Sequence, residues 1–241
     1  MSTKEITSLH HPIVKELVKL RTDKEERKRT RKLLVSGKKM ILDLAKTCRI
    51  EALLESGIEL DIQVKTRYKV TFPLLKKITG LEAPDGYAAV LPFPREAALH
   101  DQKYLLVLNG LSDPGNVGTL FRTALGLGWE GVIMTPGSVD PFNDKALRAG
   151  KGAQLLLPFW EKSEDEILQL KRHLYTADSK GKELKAMNFQ TPLLLILGNE
   201  SNGVSPSFFK SASQVSIPMT KEIDSYNVAI AGSILMYQMK L

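Results

Sequence analysis

The sequence predicts an α/β protein in which a small α/β domain precedes a larger domain built on a mainly parallel sheet. Residues 96–241 contain six apolar runs separated by loops or helical patterns, and residues 1–95 show a shorter alternation of the same kind. The charged stretch Leu91–Gln102, which contains two prolines, lies between these regions. We therefore predict one domain over residues 1–95, a second over residues 96–241, and a linker at their junction.

The first region begins with a predicted helix at Pro12, because proline suits a first helical position and the apolar residues that follow recur at helical spacing. A second helix is predicted over Lys38–Lys46. The predicted strands of this region are Leu33–Ser36, Ile50–Glu55, Gln63–Thr66 and Gly86–Leu91. A module of this size can hold a small hydrophobic core.

The second region repeats one pattern, continuous apolar strands that alternate with helices, which is typical of a parallel sheet covered on both faces. Its predicted strands are Tyr104–Leu108, Gly131–Thr135, Gln154–Phe159, His173–Ala177, Pro192–Leu197 and Gln214–Met219. Ser163 followed by Glu166 predicts a capping box. The closing helix is predicted over Ser225–Lys240, with a buried face formed by Val228, Ala231, Ile234, Leu235 and Tyr237.

Basic residues are concentrated in the first region, although the formal net charge of the whole chain is only +7. Residues 1–95 hold 20 Lys and Arg against 12 Asp and Glu, and Lys19–Lys39 alone holds ten against three. Such a density is typical of a surface that binds a polyanion, while the alternative is a solvated helix face with interleaved acids. The candidate nucleic-acid contacts are Lys24, Arg27, Lys28, Arg29, Arg31, Lys32 and Lys38.

Composition and missing motifs exclude several classes of protein. Cys48 is the only cysteine and the four histidines are scattered, which excludes a disulfide framework and a structural zinc site. No apolar run approaches the roughly 20 residues of a membrane helix and no leader pattern is visible, so we expect a cytoplasmic protein without membrane or metal. The absence of G-x-G-x-x-G, P-loop and G-x-S-x-G patterns argues against dinucleotide-dependent dehydrogenases, P-loop NTPases and α/β-hydrolases.

Three polar loops follow predicted strands, at the positions where an open parallel sheet binds its ligands. The first loop starts a helix that Asn116 is expected to cap and that carries Arg122. Taken singly, the residues of these loops have plainer explanations as helix caps or exposed loop residues. The loops are Asp113–Gly118, Gly198–Gly203, and Ile217–Met219 continued by Ser225–Asn227.

Together the three loops resemble the three motifs of the SpoU (TrmH-like) family of RNA 2′-O-ribose methyltransferases, within the SPOUT group. The resemblance extends from about Tyr104 to the C-terminus, and the order, spacing and strand contexts of the motifs all fit. The matches are D-P-x-N-x-G-x-x-x-R-T-A over Asp113–Ala124, G-N-E-x-x-G over Gly198–Gly203, I-P-M over Ile217–Met219 and S-x-N-V over Ser225–Val228.

The first region resembles the small ribosomal-protein-like RNA-binding domain that precedes the catalytic domain in many members of this family. The similar pieces are S-x-x-x-P-x-V-K at Ser8–Lys15, Val35-Ser36-Gly37 at the start of a helix, and Ala83–Gly86. This resemblance implies that the basic region binds structured RNA.

For the second region, the resemblance implies a deep trefoil knot near the C-terminus, S-adenosylmethionine bound in that knot, and a homodimer whose active site is completed across the interface. It implies cofactor contacts at Thr135, Leu197, Gly198, Asn199, Glu200, Ile217, Met219, Tyr226 and Asn227. The implied catalytic set is Arg122, Asn116, Glu200, Ser225 and Asn227. The resemblance leaves two roles for Arg122, a general base assisted by the substrate phosphate or a fixed positive charge. Because guanidinium holds its proton tightly, we expect the fixed positive charge, which also contacts the RNA phosphate.

Four positions depart from the family pattern: Tyr226 stands where Leu is usual, Gly150 where Ser is usual, Ser201 where Gly is frequent, and Ser36 where Glu is usual. None of these changes removes a charged catalytic group, so activity is expected. A separate basic N-terminal domain favours ribosomal RNA as the substrate. The alternatives are a transfer RNA 2′-O-methyltransferase, a non-catalytic RNA-binding or ribosome-assembly protein of the same fold, and an α/β enzyme that acts on a small molecule.

Overall fold

The computed structural model describes residues 2–94, 98–99 and 101–241. The chain divides into two compact units, one formed by Met1–Arg95 with Phe142–Leu155 and the other by Glu96–Pro141 with Leu156–Leu241. The predicted linker Leu91–Gln102 contains positions 95–97 and 100, which lie outside the described residues.

The first unit is built on a five-stranded mixed sheet with the strand order β1-β4-β3-β5-β2. Strands β1, β4 and β3 are parallel, and β5 runs antiparallel to both β3 and β2. The strands are β1 (Ser2–Ile6), β2 (Lys32–Ser36), β3 (Ala52–Glu55), β4 (Thr66–Val70) and β5 (Tyr87–Pro92). The helices are α1 (Pro12–Thr22), α2 (Lys24–Thr30), α3 (Lys38–Leu44) and α4 (Phe72–Thr79).

The core of the first unit lies between this sheet and two helices. Leu17 of α1 and Ile78 of α4 pack with Leu54 and Val90 of the sheet, and all four are buried. Burial of these apolar side chains is the main source of stability for a module of this size. The predicted helices at Pro12 and Lys38 are confirmed, while β1 and α4 were not predicted.

The strand predicted over Gln63–Thr66 begins only at Thr66, and a buried ion pair lies beside the loop that precedes it. Arg67 Nη1 donates to Glu55 Oε2 at 2.5 Å, and both side chains are almost fully buried. Arg67 Nη2 also donates to the carbonyl oxygens of Leu60 and Ile62 at 3.0 and 3.2 Å. These bonds help to hold residues 60–62 as a loop, because the carbonyls of Leu60 and Ile62 accept from a side chain and not from a neighbouring strand.

The second unit is built on a six-stranded sheet with the order β11-β9-β10-β6-β7-β8, in which every pairing is parallel. Its strands are β6 (Tyr104–Asn109), β7 (Gly131–Met134), β8 (Phe159–Glu161), β9 (His173–Glu183), β10 (Leu193–Gly198) and β11 (Ser213–Ser216). Its helices are α5 (Pro114–Gly126), α7 (Glu164–Leu168), α8 (Pro206–Ser211) and α9 (Val228–Gln238), and α6 (Asp144–Gly150) belongs to the first unit. The predicted α/β class with a mainly parallel sheet is confirmed.

Three local predictions in this half of the chain are wrong. The strand predicted over Gln154–Phe159 is a 3-10 turn followed by the short β8, because Gln154 Nε2 folds back to donate to the carbonyl of Ala146 at 2.8 Å. The closing helix begins at Val228 because Asn227 caps it. Of the predicted buried face of α9, Leu235 is buried and Val228, Ala231 and Ile234 are half-buried, but Tyr237 is 56% exposed. The other buried residues of α9 are Ala229, Gly232 and Met236. The predicted capping box of Ser163 and Glu166 is confirmed.

The strand order places a crevice beside β10. The chain proceeds from β6 to β7 and β8 on one side, and then returns to form β10, β9 and β11 on the other side. Such a reversal leaves the loops at the carboxyl ends of the central strands free to surround a ligand. No helix among the described residues is long and apolar enough to cross a membrane.

Candidate cofactor and catalytic site

A cavity of about 470 Å³ opens at the carboxyl ends of β9, β10 and β11. Its volume lies in the range of small-molecule sites. Four segments line it: residues 177–179 after the first part of β9, residues 197–204 around the end of β10, residues 215–219 from β11 onward, and residues 224–231 at the start of α9. The cavity therefore lies where the strand order predicts a ligand site.

Eight of the nine predicted cofactor contacts line this cavity. They are Leu197, Gly198, Asn199, Glu200, Ile217, Met219, Tyr226 and Asn227. Thr135 does not line it: its side chain is buried, and its hydroxyl oxygen accepts the backbone N–H of Gly110 and Nδ2 of Asn109, each at 3.2 Å. Thr135 thus lies among polar groups at the end of β6 and not on the cavity wall.

An irregularity in β9 supplies cavity residues that the sequence analysis missed. Thr176 pairs with Gln214, but the next pair joins Lys182 to Val215, so five residues of β9 leave the ladder. Ala177, Asp178 and Ser179 belong to this excursion and line the cavity. The sequence shows only a strand-like run here, because the excursion depends on the pairing of β9 with β11.

The second motif forms a tight turn against the end of β10. A Cβ atom added to Gly198 would lie 2.1 Å from the carbonyl carbon of Gly203, so only glycine allows these two backbone segments to meet. The Gly203 N–H donates to the carbonyl of Asn199 at 2.8 Å, and Asn199 Nδ2 donates to the carbonyl of Gly110 at 3.0 Å. The turn is thereby closed on itself and attached to the end of β6.

Hydrogen bonds between side chains join the three motif loops at the cavity rim. Asn116 Nδ2 donates to Glu200 Oε1 at 2.6 Å, and Asn227 Nδ2 donates to Asn116 Oδ1 at 3.1 Å. Asn227 also caps α9, because its Oδ1 accepts the N–H of Ala229 at 2.9 Å. Three segments that are distant in sequence therefore share one polar chain, and Ser225 lies beside it on the cavity wall.

Asn116 is not the cap of α5, contrary to the sequence prediction. Asp113 caps the helix, because its Oδ1 accepts the N–H of Asn116 at 2.9 Å. With Pro114 at the first helical position, Asn116 falls inside the first turn, and its side chain is free to reach Glu200. Asn116 therefore links two loops and does not cap a helix.

Arg122 is exposed on α5 and does not line the cavity of its own chain. Within the described part of the chain it has no hydrogen bond or ion pair. An unpaired guanidinium retains all five N–H donors for an anionic or hydroxyl partner. The structure thus brings together Asn116, Glu200, Ser225 and Asn227, and leaves Arg122 apart from them.

The cavity is electrostatically suited to a cation. Its described lining contains three carboxylates, those of Asp178, Glu200 and Asp224, and no Lys, Arg or His. Apolar side chains such as Val215 and Ile217 form other parts of the wall. A ligand with a positive charge and a flat apolar ring would find both features here. Among the described residues, no group of His, Cys, Asp and Glu is placed to hold a metal ion.

The predicted nucleic-acid contacts of the first unit are mostly accessible, with one exception. Arg27 is 3% exposed, and its Nη1 donates to the carbonyls of Leu20 and Arg21 at 2.7 and 2.9 Å at the end of α1. The prediction that Arg27 contacts nucleic acid is therefore wrong, because its guanidinium is buried inside the unit and bonded to backbone carbonyls. Lys28, Arg29, Arg31 and Lys38 are exposed, and Lys24 and Lys32 are half-buried.

Two of the exposed cations are held in defined positions. Arg31 ends α2 in a left-handed conformation, stacks at 4.8 Å over the ring of Phe93, and donates through Nη2 to the carbonyl of Pro94 at 3.0 Å. Arg29 forms an ion pair with Glu26 at 2.6 Å. Such an ion pair contributes little to stability on an exposed surface, so Arg29 can exchange Glu26 for a phosphate.

The sequence profile of the SpoU rRNA methylase family matches residues 103–237, a segment that contains all three motif loops and the whole cavity. The chain belongs to this family. This SpoU methylase is 30% identical over 251 residues to the 23S rRNA (guanosine(2553)-2′-O)-methyltransferase RlmP of Bacillus subtilis, a match that covers 98% of this chain and 99% of that protein. It is 34% identical to an uncharacterised tRNA/rRNA methyltransferase of Synechocystis, over 97% of this chain and 92% of the relative.

Solved structures agree with this membership. The AdoMet-bound rRNA methyltransferase from Sinorhizobium meliloti matches with a TM-score of 0.86 and 25% identity, covering 99% of this chain and 97% of that one. A structure described as an RNA 2′-O ribose methyltransferase matches with a TM-score of 0.83 and 26% identity, covering 98% of each chain. These similarities confirm the predicted family, the predicted class of RNA methyltransferase and the predicted cofactor, S-adenosylmethionine.

Proposed function

We propose that this SpoU methylase transfers a methyl group from S-adenosylmethionine to the 2′-hydroxyl of a ribose in ribosomal RNA. The observation that carries the proposal is the polar chain Glu200–Asn116–Asn227, which unites the three motif loops on the rim of the cavity. The alternative substrate is transfer RNA, which the name of the Synechocystis relative includes.

The residues of the cavity fit the proposed cofactor. S-adenosylmethionine supplies an electrophilic methyl group on a positively charged sulfonium. The carboxylates of Asp178, Glu200 and Asp224 favour a cationic ligand, and the apolar wall formed by residues such as Leu197 and Ile217 suits the faces of an adenine ring. Backbone N–H and C=O groups of the irregular loops would bind its edge.

We assign the activation of the acceptor hydroxyl to Arg122. A ribose 2′-hydroxyl is a weak acid, so the site must stabilise the negative charge that develops on its oxygen during transfer. The exposed guanidinium of Arg122 is a fixed positive charge that can do this while it binds the neighbouring phosphate. In this assignment Asn116, Glu200, Ser225 and Asn227 orient the nucleotide and the loops.

A homodimer accounts for the separation of Arg122 from the cavity of its own chain. We propose that Arg122 of one protomer reaches the cavity of its partner. Ile230 and Tyr237 of α9 support this proposal, since these large side chains are 53% and 56% exposed. The close packing of Gly198 on Gly203 and the return of β11 to pair with β9 are compatible with the trefoil knot that we propose for this sheet.

We propose that residues 1–95 form the RNA-binding domain and residues 96–241 the methyltransferase domain. The exposed basic residues of the first unit favour a structured polyanion over a small substrate. Ribosomal RNA is favoured over transfer RNA because RlmP, whose name gives 23S rRNA as its substrate, is similar to this chain over both regions, whereas the name of the Synechocystis relative leaves the choice between the two RNAs open. We propose that the protein acts in the cytoplasm, because the relative RlmP is a bacterial enzyme of ribosomal RNA.

The test is transfer of labelled methyl from S-adenosylmethionine to RNA from cells that lack this protein. Ribosomal and transfer RNA are assayed separately, and the product is mapped as a 2′-O-methyl nucleotide. We expect labelling of ribosomal RNA at one position that is unmodified in the deletion strain. Labelling of transfer RNA alone would contradict the substrate, and an absence of labelling in both would favour a non-catalytic RNA-binding protein.

A further inference from the structure

Glu164 is the centre of a polar cluster that lies behind the cavity and not on its wall. Its Oε1 accepts Nδ2 of Asn109 at 2.9 Å, and its Oε2 accepts the hydroxyl of Ser205 at 2.7 Å and also that of Ser207. Glu164 begins α7, Asn109 ends β6, and the two serines follow the second motif. One carboxylate thus joins three segments of the second unit.

The cluster fixes the direction of a buried amide. Asn109 is 7% exposed, and its Oδ1 accepts the backbone N–H of Ser205 at 2.9 Å. An ionised carboxylate can only accept, whereas the hydroxyl of Thr135, the other partner of Asn109 Nδ2, can donate or accept. Glu164, which can only accept, and the Ser205 N–H, which can only donate, therefore together keep Nδ2 turned toward the carboxylate and Oδ1 turned toward Ser205.

The backbone held by this amide forms part of the cavity wall. Gly203 and Val204, which immediately precede Ser205, line the cavity, and Gly203 lies directly against Gly198. A displacement of Ser205 would be passed to these residues because the contact between Gly198 and Gly203 leaves no free space. We propose that Glu164 is a positioning residue for S-adenosylmethionine, which acts through Asn109 and Ser205 on the Gly203–Val204 wall.

The ionisation of Glu164 agrees with this role. Burial acts to raise its pKa, but the hydrogen bonds from Ser207, Ser205 and Asn109 outweigh burial and hold the pKa below its ordinary value. The carboxylate is thus charged and accepts from all three donors at neutral pH. Glutamine at this position would keep the shape but replace one acceptor oxygen by a donor, which would compete with Asn109 Nδ2.

The experiment compares wild type with Glu164→Gln, with Glu166→Gln, and with the double variant Asn109→Asp/Glu164→Gln. Glu166 is a matched control, because it lies on the same helix, carries the same charge, and its side chain bonds, among the residues that the structure describes, only to Ser163 and Lys162. In the double variant the carboxylate introduced at position 109 accepts the Ser205 N–H, and the amide introduced at position 164 donates to that carboxylate. The polarity of the cluster is then reversed, and every donor again has an acceptor. The dissociation constants of S-adenosylmethionine and S-adenosylhomocysteine are measured by calorimetry, together with kcat, KM and the melting temperature.

We expect Glu164→Gln to weaken the binding of both ligands about ten-fold and to raise the KM for S-adenosylmethionine in proportion, with kcat at saturation within about two-fold of wild type. Glu166→Gln should stay within about two-fold in affinity even where its melting temperature falls, and the double variant should recover most of the lost affinity. Unchanged affinity in Glu164→Gln, equal losses in the two single variants, or a double variant that recovers its melting temperature but not its affinity would each overturn the inference. The inference rests on the proposed cofactor site, and a wild type that binds neither ligand would refute that site itself.

Discussion

Replacement of Arg122 by alanine tests the proposed chemistry with little disturbance of the fold. Arg122 is exposed and, within the described residues, makes no hydrogen bond or ion pair. Surface substitutions of this kind change the free energy of unfolding by about 0.5 kcal/mol or less. The melting temperature should therefore remain close to that of wild type. The affinity for S-adenosylmethionine should also be unchanged, because we assign Arg122 to the acceptor hydroxyl and the neighbouring phosphate of the RNA and not to the cofactor.

The expected effect on methyl transfer is much larger. Loss of one preorganised group that stabilises developing negative charge typically costs about 3–4 kcal/mol, or a factor of about 100–1,000 in kcat. Arg122→Lys retains the positive charge but not the planar guanidinium, so its kcat should lie between those of wild type and Arg122→Ala. Lys210→Ala is the matched control, since Lys210 is an exposed cation of the same unit outside the proposed site.

The assay is single-turnover transfer of labelled methyl to ribosomal RNA at saturating cofactor, with circular dichroism melts of each variant. The proposed dimer allows a second measurement, in which Arg122→Ala chains are mixed with chains that cannot bind cofactor. Each variant is inactive alone, but the mixture should regain part of the activity. In a mixed dimer, one of the two sites combines an intact cavity with an intact Arg122. Near-normal turnover in Arg122→Ala would refute the role of Arg122. An equal loss of activity in Lys210→Ala would show that methyl transfer depends on the overall positive charge of the unit and not on the guanidinium of Arg122.

Three further predictions concern the cavity, the polar cluster behind it and the basic unit. Gly198→Ala should weaken cofactor binding by at least about ten-fold in calorimetry, because the new Cβ would lie 2.1 Å from the carbonyl carbon of Gly203; wild-type affinity would contradict the tight turn. The pKa of Glu164 lies below its ordinary value of 4.5, so the contribution of Glu164 to stability is fully present above that pH and is lost as the pH falls through the lowered pKa. In urea titrations, the difference in free energy of unfolding between wild type and Glu164→Gln should therefore shrink below pH 4.5. A difference that grows there would be inconsistent with the lowered pKa. Lys28→Ala combined with Lys38→Ala should reduce the slope of log affinity for ribosomal RNA against log salt by up to about 2, and an unchanged slope would remove these residues from the RNA contact.

The site was predictable from the sequence where its residues lie in one loop, and much less so where the chain had to fold to bring them together. Gly198, Asn199 and Ile217 carry motif patterns, and the structure places them on one cavity. Asp178 and Ser179 carry no pattern, because only the irregular pairing of β9 with β11 turns them toward that cavity. Asn116 shows the same limit: its sequence position suggests a cap, but Asp113 takes that role and Asn116 bonds to Glu200, 84 residues away.

The basic segment Lys19–Lys39 was also predicted correctly in its general character but not in the placement of every residue. Its density of charge predicted a polyanion-binding surface, and most of its members are exposed as expected. Arg27 is chemically indistinguishable from its neighbours in the sequence, yet it is buried with its guanidinium on the carbonyls at the end of α1. Local sequence cannot separate these cases, because burial is decided by the packing of α2 on α1.

The sequence by itself determined the α/β class, the mainly parallel character of the second sheet, the three motif loops and the family to which they belong. These features depend on local patterns of apolar residues, glycines and turn formers, whose physical consequences act over a few residues. The tertiary structure alone decided which carboxylates face the cavity, that Thr135 lies behind it, that Arg122 stands away from it, and that Glu164 holds its wall through Asn109. Those relations join residues tens of positions apart, and only the assembled sheet fixes the distances between them.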